Sequence, residues 1–291
     1  MTAVIETTET AARLAESISA LPPLPATAQK ILACFGDEFI DALRVGEVVE
    51  GDPGICARLL GLANSAYFGL AVPVNTIDEA ISRVLGVDTV RSLVLAMAIQ
   101  QSFNSKDCPA FCVDRFWQQS LLAAECCKRI VAADHKASDS DRDLAYSSGL
   151  CHNLGLMALT HMDPVGTNSV LSMHGAKSAQ RTLSQYFVEA FETDHKIMSA
   201  ELGRTWSLPE PMVNAYQYRA FPNSHCDERL AIIVAAGIAA VENAELDESQ
   251  RLDLSEWAGE LQIDADELQQ MAYFEERQKE RVQSLAGNMT H

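Results

Sequence analysis

The chain has 291 residues, 48% hydrophobic, 21% charged and 7% aromatic, which excludes a disordered or fibrous protein and suits one large domain or two ordinary ones. Forty acidic against 22 basic residues give a formal charge of −18, so the average surface repels polyphosphate and anionic lipid, and no cationic cluster offsets it. The longest apolar stretches, Leu93 to Ile99 and Leu230 to Val241, fall short of the ~20 residues of a membrane span, and the N-terminus lacks a secretory leader's basic start and apolar run.

Residues 1–19 read as a short helical arm, and the Leu21 to Pro25 run, LPPLP, as a rigid turn packed against the first lobe of the chain. Asp52-Pro53 is an N-cap followed by proline at the first helical position, opening a helix that ends near Asn64. Tyr67 is expected in the core; Phe68 is left open. Thr76 and Glu79 form a capping box for a short helix closed by Gly86. Asp88 is expected to cap a longer helix with Val90, Leu93, Val94 and Met97 on one stripe and Arg91 and Gln101 off it.

Residues 104–110, NSKDCPA, read as a connection between two helical lobes. A helix is expected from about Phe116 to Ala133, then a polar loop from His135 to Asp141. Next comes one helix through Leu144, Leu150, Leu154, Met157 and Leu159, apolar on nearly every side, with His152 inside it. Asp163-Pro164 repeats the cap-and-proline signal. Further helices are expected near 178–191, 195–206 and 210–219, then around 227–243 and 264–285, the last solvent-facing along one side. Alternating strand patterns are absent, so the fold class is all-α.

The stretches LPPLPATAQKIL, EVVEGDPGICARLLGLANSAYFGL and NTIDEAISRVLGVDTVRSLVLAMA, followed by FWQQSLLAA, SSGLCHNLGLMAL, ETDHKIMSAELGRTWSLP and VNAYQYRAFP, occur in that order. Together they resemble the HDOD domain, a bacterial signalling module related to the HD and HD-GYP metal-dependent phosphohydrolases. The resemblance implies a two-lobed helical domain over 20–222, with an N-terminal lobe at 20–108 and an HD-like lobe at 109–222, leaving C-terminal helices at 223–291. It also implies a bacterial protein, and an N-terminus without a secretory leader points to the cytoplasm.

Catalytic relatives hydrolyse phosphate esters at metals fixed by imidazoles and a bridging carboxylate. Where those relatives carry a histidine, this chain has Gln119. Where they carry a His-Asp pair it has His152-Asn153, and where they carry adjacent histidines it has Arg219-Ala220; His195 is kept. No Gly-Tyr-Pro signature comes after them. An amide at Asn153 cannot bridge two cations, and Arg219 adds a fixed positive charge. The resemblance therefore implies no catalytic residues and no cofactor; His152 and His195 are the weak candidates for a single divalent ion. Arg219, Gln119 and Asn153 are candidates for a pocket that holds an anionic or nucleotide ligand without hydrolysing it.

Plainer readings compete. His152 suits a core imidazole bonded to a backbone carbonyl or to His195, and His195 suits an exposed residue at a helix start. Arg219 suits a space-filling arginine paired with carboxylates. His135, His161, His174 and His225 fall in or near connections with no ligand spacing. The eight cysteines, in a reducing compartment, are read as thiols and most of them as small buried hydrophobes; Cys108 and Cys112 could meet across a helical turn in a metal or redox role, against which burial is the plainer reading. Cys151 and His152 point about 100° apart on a helix and do not form a nucleophile pair. The expected function is a non-catalytic regulator acting on signalling proteins or through a small ligand, with no nucleic-acid or membrane partner. The competing reading is a metal-dependent phosphohydrolase of reduced ligand set. Neither flank of the domain is long enough for a receiver, so a sensing partner is expected on a separate chain.

Overall fold

The structure is a computed structural model; it describes residues 21–35, 42–65, 68–175, 181–220, 228–246, 251–274 and 276–290. The arm at 1–19, Tyr67 and His225 lie outside these residues. Among them the secondary structure is helical throughout, as the periodicity required.

The first lobe holds α1 (Ala26–Leu32), α2 (Ala42–Glu50), α3 (Pro53–Ala63), α4 (Ile77–Ala80) running into a π-turn at Ile81–Leu85, and α5 (Val87–Gln100). Pro25 sits at the α1 cap, with Leu21 and Leu24 buried beside it. Asp52 caps α3 by accepting from the Gly54 and Ile55 amides at 3.1 Å each. At α4 the Thr76 hydroxyl accepts from the Glu79 amide at 3.2 Å, but the Glu79 carboxylate reaches Asn75 N–H at 2.9 Å, one residue before the position a reciprocal box would use.

Two expectations for α5 are corrected. Gly86, at φ +79°, is the cap residue, and Asp88 lies inside the first turn. Arg91 is buried: it pairs with Asp88, donates from Nη1 to the Cys34 carbonyl at 2.8 Å and stacks over Phe35. The local carboxylate lets a charged residue sit within an otherwise apolar helix.

The linker 101–112 leads to α6 (Val113–Ala133), α7 (Asp139–Cys151), α8 (Leu154–Met162), α9 (Pro164–His174), α10 (Leu183–Phe191), α11 (His195–Thr205) and α12 (Glu210–Ala220). The loop expected through Asp141 ends early, because Ser138 and Asp141 form a full capping box. The single helix expected through Leu159 is two, broken at His152-Asn153. Buried Ser92 and Ser147 hydroxyls, 2.6 Å apart, tie α5 to α7 across the lobes.

Beyond 228 come α13 (Arg229–Ala244), α14 (Ser255–Leu261), α15 (Ala265–Met271) and α16 (Glu276–Thr290), so the stretch expected as one helix over 264–285 is divided. α13 is buried along nearly its whole length against α6, α7 and α12. α16 packs on α6 and reaches α3, where Arg58 Nη1 donates to the Met289 carbonyl at 3.3 Å. At the other end of α6, Asp134 takes both Arg229 Nε at 2.5 Å and Nη2 at 2.8 Å. No helix is long and apolar enough to cross a membrane among the described residues.

Candidate functional site

The break between α7 and α8 places His152 and Asn153 at a helix corner, and two close approaches hold that corner in place. Gly149 brings α7 against the α6 backbone, where an added Cβ would lie 2.7 Å from Ala124 Cα. Gly155 brings α8 against the start of α11, donating its amide to Ser199 Oγ at 2.9 Å, while that hydroxyl donates to the His195 carbonyl at 3.0 Å. The two retained histidines are thus fixed relative to each other through backbone contacts that only glycine permits.

His152 is buried, and its Nδ1 lies 2.7 Å from the Gly149 carbonyl, so Nδ1 carries the hydrogen and donates. Burial, reinforced by Arg219, lowers its pKa to about 3 against the pull of the Gly149 bond and Glu242. His195 is also buried, which corrects the exposed reading. Its ring packs on Phe187 and its Nδ1 lies 2.6 Å from Asp194 Oδ1. Burial pushes His195 down, Asp194 pulls it up, and Arg219 and Lys196 push it down again, with a net lowering. Both rings are neutral at pH 7.

Arg219, at the end of α12, has a side chain only 6% exposed and donates from Nη2 to Glu242 Oε1 at 2.9 Å. Its Nη1 and the Asn153 Oδ1 are buried with no hydrogen-bond partner among the described residues. The Glu242 side chain retains 41% exposure. Burial alone would raise its carboxyl, but Arg219, Lys196 and His152 together bring it below the ordinary value. Lys196 is lowered first by burial and then by Arg219, against Glu242 and Asp194. Asp194 is held well below the carboxylate range: burial opposes this, and the His195 contact with bonds from Ser184 and the Lys196 amide overcomes it.

The cluster thus contains two neutral imidazoles, two cations (Arg219 and Lys196) and two carboxylates (Asp194 and Glu242) in mutual electrostatic contact. Gln119 points its amide to Glu245, which also takes Arg115 at 3.2 Å, and Ala220 ends α12 partly exposed. Lys196 and Glu242 were missed in the sequence. Lys196 lies inside the motif that kept His195. Glu242 left a signal: it is the first acid after twelve apolar residues of a helix that had to be buried, and such a group needs a partner.

The donor set does not fit the divalent ions of the HD hydrolases. No group of three or more His, Cys, Asp or Glu is arranged to hold a metal among the described residues. The two carboxylates are engaged with cationic or imidazole groups, and a divalent ion would enter the field of Arg219 and Lys196. The nucleophile pair is absent as well, since Cys151 is fully buried and burial raises its thiol to about 12. His161 accepts from the Asn104 amide at 3.0 Å, His174 packs edge-on to Tyr186, and neither joins the cluster. Cys108 is buried and Cys112 exposed, in a turn rather than a helix.

A family model described as the HDOD domain matches residues 21–222. An uncharacterized protein of Treponema pallidum (strain Nichols) is 26% identical over 216 residues, 73% of this chain and 40% of that protein. Among solved structures, a Marinobacter aquaeolei VT8 protein with a provisional signal-transduction name superposes with a TM-score of 0.80 at 23% identity, covering 98% of this chain and 66% of that one. A Shewanella amazonensis SB2B protein provisionally named a phosphohydrolase gives 0.71 at 23% identity, covering 95% and 97%. An HDOD domain protein of unknown function from Geobacter sulfurreducens gives 0.69 at 19%, covering 91% and 89%. The chain therefore spans less than two thirds of the Treponema relative and of the Marinobacter chain.

Proposed function

The chain belongs to the HDOD-domain family, and on that premise we propose that it is a non-hydrolytic signalling module, acting in the cytoplasm through contacts with other proteins or a small anionic ligand. At 23% identity the signal-transduction and phosphohydrolase names of its structural neighbours speak for a shared fold, so the residues of the site have to decide between them.

The observation that carries the reading is the Arg219–Glu242 pair beside His152 and His195. Two-metal phosphoester hydrolysis needs cations that bind a water, lower its pKa and neutralise phosphoryl oxygens. A guanidinium and an ammonium supply positive charge but bind no hydroxide; Glu242 and Asp194 balance that charge, so what the cluster offers an anion is the Arg219 Nη1 donor, unpartnered among the described residues, and it lacks the nucleophile. His152, neutral and committed through Nδ1 to Gly149, is a poor proton donor for a leaving group at pH 7.

The test is direct. The purified chain, given manganese or iron(II) and a panel of phosphate mono- and diesters including cyclic dinucleotides, is expected to release no phosphate above a heat-killed control. Turnover that disappears in His152→Ala would replace this reading with that of a metal-dependent phosphohydrolase.

A further inference from the structure

A cavity of about 440 Å³ opens between the lobes, at the linker that joins α5 to α6. Its walls include Arg58 from α3, Gln100 at the end of α5, Phe103 and Lys106 from the linker, Asp114 from the first turn of α6, and Met157 from α8. It is remote in sequence from the cluster at His152, and Met157, one turn into α8 from Asn153, is its only wall residue on the helices of that corner.

The lining has a distinct chemistry. Two cations face one carboxylate, on a chain where acids outnumber bases by 40 to 22. Arg58 is half-buried, and among the described residues its hydrogen bonds go to neutral carbonyls, Gly54 at 3.4 Å and Met289 at 3.3 Å. Burial lowers its pKa, and the Asp52 carboxylate offsets this only in part. Lys106 is exposed and forms no ion pair among the described residues. The Gln100 Oε1 is buried without a donor among the described residues. Phe103 and buried Met157 supply an apolar wall, and Phe103 is braced by Trp206 at 5.6 Å and His161 at 5.9 Å between ring centroids.

A bare inorganic anion would leave the apolar wall and the Gln100 acceptor unmatched, and a neutral apolar molecule would leave Arg58 uncompensated in a partly desolvated place. We propose that this inter-lobe cavity binds a small organic anion with a ring-sized apolar body and an N–H or O–H donor. The acidic group pairs with Arg58 and Lys106, the donor meets Gln100 Oε1, and the body lies against Phe103 and Met157. Because the walls come from both lobes and the linker, occupancy fixes the lobes against each other, which gives a signalling module a means of reading a small molecule.

The probe is 8-anilinonaphthalene-1-sulfonate, which carries a sulfonate, aromatic rings and one N–H. Fluorescence titration of the full chain is expected to show one saturable site. Arg58→Gln is expected to weaken it about tenfold, as loss of a charge-assisted bond does, and Lys106→Gln by a few-fold. Lys128→Gln, beside a separate smaller cavity under α16, is expected to leave it unchanged. 4-Hydroxyphenylacetate, which carries a carboxylate, a ring and one O–H donor, should displace the probe and equimolar inorganic phosphate should not. Absence of saturable binding overturns the proposal, as does an unchanged affinity in Lys106→Gln, whose exposed loop position makes it independent of any folding defect in Arg58→Gln. Equal loss in Lys128→Gln, or equal displacement by phosphate, overturns it too.

Discussion

Replacing Gly155 by alanine tests whether the corner at His152 is held by backbone contact. A Cβ there would lie 2.8 Å from Ser199 Oγ and closer still to the Ser199 amide nitrogen and the His195 carbonyl oxygen, both main-chain atoms that cannot swing aside. Ordinary contact starts near 3.4 Å and the His195 carbonyl oxygen would lie at 2.1 Å, so α8 and α11 would have to separate by about 1.3 Å. Overpacking of this kind costs about 1 to 3 kcal/mol, and backbone obstruction puts it at the upper end. Loss of the 2.9 Å Gly155 N–H to Ser199 Oγ bond adds about 1 kcal/mol, and the gain in helix propensity returns at most about 1. The net expectation is a loss of about 2 to 3 kcal/mol, roughly 3 to 5 °C in Tm for a chain of this length. Thermal unfolding followed by circular dichroism reads it, with Gly259→Ala as control: nothing lies within 4 Å of a Cβ at that exposed helical position, so only propensity acts and stability should rise slightly. Gly155→Ala with a Tm equal to or above that of the parent chain would refute the reasoning.

The buried ionisable groups give two further outcomes. His152 titrates near 3 when folded and near 6.5 when unfolded, so below pH 6.5 the unfolded state binds more protons; its contribution is complete above 6.5 and lost progressively as pH falls toward 3. By pH 5 the loss is about 2 kcal/mol, His195 acts in the same direction, and His152→Gln should flatten the Tm profile between pH 6.5 and 5. Among thiols, exposed Cys112 should react with Ellman's reagent in the native chain, while Cys126 and Cys151, raised to about 12, and Cys127, raised well above its ordinary value by burial, react only on denaturation. A fast phase that survives Cys112→Ser and disappears in Cys151→Ser would contradict the burial described.

Helix starts were legible because a cap is a local matter: Asp52-Pro53 and Asp163-Pro164 carry the donors' partners within three residues. The corner at His152 was not, since Leu144 to Leu159 has continuous helical periodicity and the interruption is a two-residue change of backbone angle stabilised by α11. Arg91 was misplaced for a related reason. Periodicity assigns a charge to the surface, and only the fold shows that the Cys34 carbonyl and the Phe35 face wait for it inside. At the site, the family resemblance showed which ligands were replaced, but Glu242 stands 23 residues beyond Arg219 and outside the segment that resembled anything, so their pairing required the placement of α13.

That pairing bears on metal dependence. In a site built for divalent ions, the metal neutralises the surrounding acids, and its removal leaves them to repel one another. Here Arg219 meets Glu242, and Asp194 accepts from the Lys196 amide and lies in the field of the Lys196 ammonium, so the neutralising groups belong to the chain itself. A chelator should therefore leave Tm unchanged, and millimolar manganese should move it by less than about 1 °C. A resident site gives a different result, since ligand at 100 times its Kd stabilises the folded state by about 2.7 kcal/mol, several degrees in a chain of this size. A rise of that order with manganese, abolished in His195→Ala and not in His174→Ala, would mean that the two imidazoles hold an ion despite the cations beside them.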